Sequence, residues 1–144
     1  MNIFNKALLI VTAAIFSATL TIAQTKNKQI DFQKVVIQLS SNDTLVHRSL
    51  LKQLNNIQKA FNKVTIEVVA HGPGIELLSK QSPFINTIAV LHQRGIAFLV
   101  CQNTLNEKKV SPQALVPLIK IIPSGLAHVI TRQSEGWSYL KAGF

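Results

Sequence analysis

The stretch IAFLVCQNTL, Ile96 to Leu105, runs through six apolar residues without a break, ends them at the single cysteine of the chain, and then turns polar. An apolar run of this length with no alternation is the mark of a strand buried on both faces, as in a parallel sheet covered by helices. Two further runs have the same character. VTIEVVA, Val64 to Ala70, is followed at once by HGPG, whose two glycines and proline force a turn, and KVVIQLS, Lys34 to Ser40, stops at SSND, residues suited to capping a helix.

The segments between these runs read as helices. From about Thr44 to Phe61, Leu50, Leu51, Leu54, Ile57 and Phe61 recur at three- and four-residue steps, the stripe of a helix laid on a sheet. A short helix is expected over Ile75–Lys80. Ser82 as N-cap and Pro83 at the first position open another, which runs to about Arg94 and closes at Gly95. QNTLNEKKV reads as a loop with one helical turn, Val116–Ile122 as a fourth short strand, Ser124–Ser134 as a helix, and WSYLK after Gly136 as the last strand. Strands alternating with helices form right-handed βαβ units. The expected fold is a flavodoxin-like, doubly wound α/β domain with a mostly parallel sheet of about five strands and helices on both faces.

The first residues, MNIFNKALLIVTAAIFSATLTIAQTKNKQ, carry one positive charge at Lys6, an apolar run from Ala7 to about Ile22, and then a polar, basic segment. This is the pattern of a cleavable secretory signal, with the cut expected after Ala23. The run is diluted by Thr12, Ser17, Thr19 and Thr21 and falls short of the roughly 20 residues of a membrane span, so no stable membrane insertion is expected after cleavage. The expected organisation is residues 1–23 signal peptide, 24–33 flexible leader and 34–144 one domain, in a periplasmic or secreted protein.

The chain has 15 Lys and Arg against 6 Asp and Glu, a formal net charge of +9. Such a balance favours anionic partners. The cations are scattered, with no dense run and little aromatic interleaving, which argues against a nucleic-acid partner. Four histidines lie far apart in sequence and give no close-spaced ligand pair, so no metal is assigned. GPG at 72–74 lacks the later glycine of a dinucleotide fingerprint, and no cofactor is indicated.

In open parallel sheets ligands bind outside the carboxyl ends of the strands. SSND, HGPG and CQNT all lie at such ends and are expected to converge. Cys101 ends a buried strand just before a helical turn, whose unpaired N–H groups lower a thiol pKa, and Lys108 or Lys109 adds to this if the turn folds back. The competing reading is a cysteine that only fills space. His71, ending the neighbouring strand, is a candidate acid or base for the thiol. Ser41, Asn42, Gly72, Gln102 and Asn103 are the candidate lining. Cys101 and His71 carry the chemistry in this reading.

VVAHGPGIELL (68–78), RGIAFLVCQNTL (94–105) and IIPSGLAHVITRQSEGWSYLK (121–141), in that order, resemble the DsrE/DsrF-like family. The resemblance implies the flavodoxin-like fold and homo-oligomers, commonly trimers or hexamers. It also implies a sulfur-relay role, because better-studied relatives carry sulfur as a persulfide on a cysteine after the third strand. By motif that position is Cys101. The expected function is therefore an exported protein that binds or relays sulfane sulfur on one cysteine, with a sulfur donor or acceptor protein as partner. A thiolate that accepts sulfane sulfur and then offers it to a partner thiol needs no second cysteine. The alternative is an oligomeric module that binds a small anion or other small molecule, its thiol incidental. A third reading is a Cys–His metal site across a subunit interface.

Overall fold

The computed structural model describes residues 32–143. The expected signal segment and most of the leader lie outside the described residues. In chain order the elements are β1 (Phe32–Leu39), α1 (Thr44–Ala60), β2 (Lys63–Ala70), a 3-10 segment (Gly72–Leu78), α2 (Ile85–Gln93), β3 (Ala97–Cys101), α3 (Gln102–Lys108), a 3-10 turn (Pro112–Ala114), β4 (Lys120–Ile122), α4 (Gly125–Ser134) and β5 (Ser138–Lys141). All four strand pairings are parallel, in the order β4-β3-β2-β1-β5. The doubly wound α/β class read from the sequence is the class observed.

The winding explains the layers. From β1 to β4 each crossover moves one strand in the same direction, so right-handed connections put α1, α2 and α3 on one face. The return from β4 to β5 spans the sheet in the opposite direction and places α4 on the other face. Side chains along each strand divide accordingly. Val35, Ile37, Leu39, Ile66, Val68, Ala70, Phe98 and Val100 enter the larger core with α1, α2 and α3. Val36, Val69, Leu99 and Ile122 form a thin core with Val129 of α4 and Trp137.

Glu67 also lies on the thin face, 9 % exposed. A buried carboxylate needs partners. Arg132 grips it with both Nε and a terminal nitrogen, at 2.8 and 2.7 Å, and His128 Nε2 lies 2.6 Å from Oε2. Arg132 in turn stacks on Trp137, 4.6 Å from the ring centroid, so the residues that anchor α4 form one connected unit.

Several element boundaries differ from the sequence expectation. The fourth strand is only Lys120–Ile122, because the segment expected to begin it bonds elsewhere: Val116 N–H donates to Leu78 O, and Leu115 bridges Ser79. Pro117 has no N–H for a ladder. The helix expected from Pro83 begins at Ile85, since the Ser82 hydroxyl takes the Phe84 N–H in a local turn. HGPG leads directly into a 3-10 segment over Gly72–Leu78 rather than an α-helix over Ile75–Lys80. The helical turn after Cys101 is a seven-residue helix that starts at the next residue. β1 begins at Phe32, within the stretch read as leader. Among the described residues no helix is long and apolar enough to cross a membrane.

Candidate functional site

The parallel register places Ala70 beside Val100 and Cys101 beside Ile122, so one row crosses the carboxyl ends of β2, β3 and β4. His71 follows β2 and Cys101 closes β3 on the thin face, the side covered by α4. The first residue of α4 is Gly125, and a Cβ built on it would lie 3.2 Å from His71 Cβ, 3.3 Å from Cys101 Cβ and 3.3 Å from Val69 Cγ1. Three chain segments remote in sequence thus meet at one point, HGPG, FLVCQNT and PSGLAH, which lie in the three stretches that carry the family resemblance.

Cys101 is 5 % exposed and is the N-cap residue of α3. Burial alone pushes its thiol pKa up. The nearby Gly125, Thr104 and Asn103 N–H groups and the Thr104 hydroxyl, all uncharged donors, outweigh that and hold it below the ordinary value. The donors come from the first turns of two helices, which direct partial positive charge at the sulfur. Gly125 and Thr104 therefore join the candidate site. Thr104 had a visible signal, a hydroxyl three residues into a helix that opens at the thiol. Gly125 lies within IIPSGLAH, but nothing local says that PSG packs on a strand end.

Thr104 has a second role. The Gly72 N–H donates to its Oγ1 at 2.9 Å, so the acceptor side of the hydroxyl is occupied and its proton is free for the sulfur. Gly72 holds φ +51°, a backbone conformation that favours glycine, and this turn aims its N–H at Thr104. Gly72 thus belongs to the site through its backbone.

His71 is half-buried, and burial lowers its pKa, which keeps the ring neutral near pH 7. Gln38 donates to His71 Nε2 at 2.8 Å, leaving the ring proton on Nδ1, and the Tyr139 hydroxyl donates to Gln38 Oε1. Gln38 is the one polar side chain between Val35 and Leu39 of the buried strand β1, a signal that could have marked it.

The remaining candidates are arranged differently. Asn103 contributes its backbone N–H, which also donates to Pro123 O at 3.3 Å, and its side chain is exposed. Gln102 turns its amide to Asn106 Oδ1 at 2.8 Å. Ser41 accepts the Asp43 N–H on its hydroxyl and His47 Nε2 on its carbonyl. Asn42 lines a separate hollow of about 190 Å³ with His47, Glu76 and Ser82. SSND thus caps α1 and is not brought to the thiol. Lys108 and Lys109 end α3, some seven residues and about 10 Å along the axis from Cys101, and the sulfur is stabilised by uncharged donors instead.

The histidines are each engaged separately: His47 with Ser41 O, His71 with Gln38, His92 with Ile96 O and His128 with Glu67. Among the described residues no three His, Cys, Asp or Glu side chains cluster as metal ligands. The strand order reverses between β1 and β5, yet the thiol sits at β3. The long return crossover explains the offset, because it must start beyond β3 and lays the N-terminus of α4 across the ends of β2 and β3.

No curated protein sequence matches the chain. A protein of unknown function from Methanobacterium thermoautotrophicum, MTH1491, is similar over 76 % of this chain and 98 % of its own, with 28 % identity and a TM-score of 0.74. Another of unknown function from Bacteroides thetaiotaomicron, BT1422, shares the fold at 16 % identity and a TM-score of 0.55, over 76 % of this chain and 94 % of its own. The DsrE/DsrF-like family model matches residues 22–142, a span that takes in every segment meeting at Cys101. By that match and by the fold, the chain belongs to the DsrE/DsrF-like family.

Proposed function

We propose that this protein binds or relays sulfane sulfur as a persulfide on Cys101. The observation that supports it most is the set of uncharged donors from Gly125, Thr104 and Asn103 around a thiol held below its ordinary pKa. A thiolate is the nucleophile in sulfur transfer. With thiosulfate, Cys101–S⁻ attacks the outer sulfur, the S–S bond breaks, sulfite leaves with its electron pair, and Cys101–S–S⁻ remains. A partner thiolate then attacks that outer sulfur, forms its own S–S bond and releases Cys101–S⁻. The same donors that hold the thiolate also suit the negative charge of the persulfide. His71, neutral and fixed by Gln38, is the candidate acid or base at the neighbouring strand end, with the proton on Nδ1 to give.

The reading places the protein outside the cytoplasm, with residues 1–23 removed and Gln24 at its start. It also includes a homo-oligomer, a trimer or hexamer. The outer side of α4 supports this, because Leu126 is 53 % and Ile130 66 % exposed four residues apart on one face. Light scattering on the purified protein reads the oligomer directly, and N-terminal sequencing of the exported form reads the cut.

Incubation with polysulfide, or with thiosulfate and a sulfurtransferase, should add about 32 daltons per chain, lost on treatment with a thiol reductant. Cys101→Ser must abolish the adduct. A wild-type protein that gains no mass, or a Cys101→Ser protein that does, sinks the proposal. One observation favours a second reading: the thiol is 5 % exposed, as expected of a cysteine that packs a small-anion module. In that case iodoacetamide would label it only after unfolding.

A further inference from the structure

On the face of the sheet opposite Cys101, a cleft runs between α1 and α2. Two open hollows of about 310 and 290 Å³ form it, and they share Asn55 and Thr87, so the cleft is continuous. Its accessible apolar floor is Phe84 and the half-exposed Val90, laid over the buried Leu51 and Leu91, while Arg48, Lys52 and Arg94 stand at its rim. No Asp or Glu lines either hollow. Among the described residues every ion pair involves His128 or Arg132, leaving the three rim cations without a carboxylate partner.

The cleft is also pre-formed. Gln58 donates to Arg94 O at 3.1 Å and Arg94 donates to Asn55 Oδ1 at 2.9 Å, which ties the end of α2 to α1. Preorganised walls lower the ordering cost of binding.

We propose that this cleft docks an acidic amphipathic helix of a partner protein. An apolar floor between cationic rims complements a helix with a hydrophobic stripe flanked by Glu or Asp, the helix-in-groove mode of recognition. Arg48 and Lys52 are four residues apart and so face the cleft together, and from Arg48 to Asn55 α1 advances about 10 Å, the length of two turns. A small anion would leave the floor unused. A flat anionic bilayer would meet the rim cations but has no contour that fills a cleft between two helices.

The probe is a fluorescein-labelled amphipathic peptide of about five turns, with Leu at helical spacing and Glu on both flanks, beside a scramble of equal composition. Anisotropy with the full chain should show the patterned peptide binding at least about tenfold more tightly than the scramble, and weakening as salt rises. Arg48→Glu/Lys52→Glu should reduce affinity at least about tenfold, whereas Lys80→Glu/Lys108→Glu, the same charge change outside the cleft, should leave it intact. Val90→Asp, on the floor, gives an independent variant if the double one fails to fold. Equal binding of the scramble overturns the proposal, as does affinity indifferent to the cleft variants. Vesicles containing phosphatidylserine are the alternative occupant, and binding to them through Arg48 and Lys52 without peptide binding would also overturn it.

Discussion

Gly125 lies tightly against Cys101: a Cβ there would stand 3.3 Å from Cys101 Cβ and 3.2 Å from His71 Cβ. This contact lets the first N–H of α4 reach the sulfur.

Gly125→Ala should therefore act on chemistry before stability. Its Cβ requires neighbours to give by a few tenths of an ångström, which moves the donor N–H from the thiol. The pH dependence of native alkylation should shift upward, so that Cys101 reacts more slowly at pH 7 than in the wild type. Gly125→Val, with two further methyl groups in the same space, should cost about 1–3 kcal/mol of stability as well. An unchanged alkylation profile in the alanine variant would remove Gly125 from the site.

Thr104 links Gly72 to Cys101. Thr104→Val deletes the hydroxyl donor to sulfur and the acceptor for the Gly72 N–H, so the thiol pKa should rise and stability should fall by about 1–3 kcal/mol. Thr104→Ser keeps both bonds and should restore the alkylation profile. Urea titration and alkylation rates measured on the same preparations separate the two effects.

Glu67 anchors α4 to the sheet. Burial pushes its carboxyl pKa up, but hydrogen bonds and charge from Arg132 and His128 outweigh that and hold it below the ordinary 4.5. Breaking a fully buried pair costs about 3–5 kcal/mol; because the Arg132 side chain is 26 % exposed, Glu67→Gln should cost less, about 2–3 kcal/mol near pH 7. With the folded pKa depressed, this stabilisation is fully present above pH 4.5 and is lost as pH falls through the folded value. The stability gap between wild type and Glu67→Gln should thus narrow below pH 4.5 in urea titrations. A gap that widens on acidification would contradict the assignment.

The glycines of HGPG serve different ends. At Gly74 a Cβ would meet Leu39 O at 2.3 Å and Leu39 C at 2.7 Å, a clash with the backbone of β1. At Gly72 there is open space, and only the φ of +51° resists a side chain. Gly72→Ala should cost about 1–2 kcal/mol. Gly74→Ala should cost more and lower the melting temperature further, because the main chain of β1 must move.

Much of this protein is legible in its sequence. Apolar runs without alternation at Val64–Ala70 and Ile96–Cys101, separated by helical stripes, identify strands buried on both faces and hence a parallel sheet, because local spacing records which faces meet water. Position also marks Cys101 and His71, since a residue that ends a buried strand lies at the carboxyl edge whatever the strand order. Tertiary structure alone decides the rest. That α4 crosses the sheet and sets the Gly125 N–H on the sulfur follows from the return from β4 to β5, and no local pattern encodes the strand order. Likewise SSND looks equivalent to HGPG in sequence but caps α1 away from the thiol. Val116 resembles a strand residue, yet it gives its N–H to Leu78. Spacing along a chain reports burial, whereas the partner of each hydrogen bond depends on which distant segment arrives beside it.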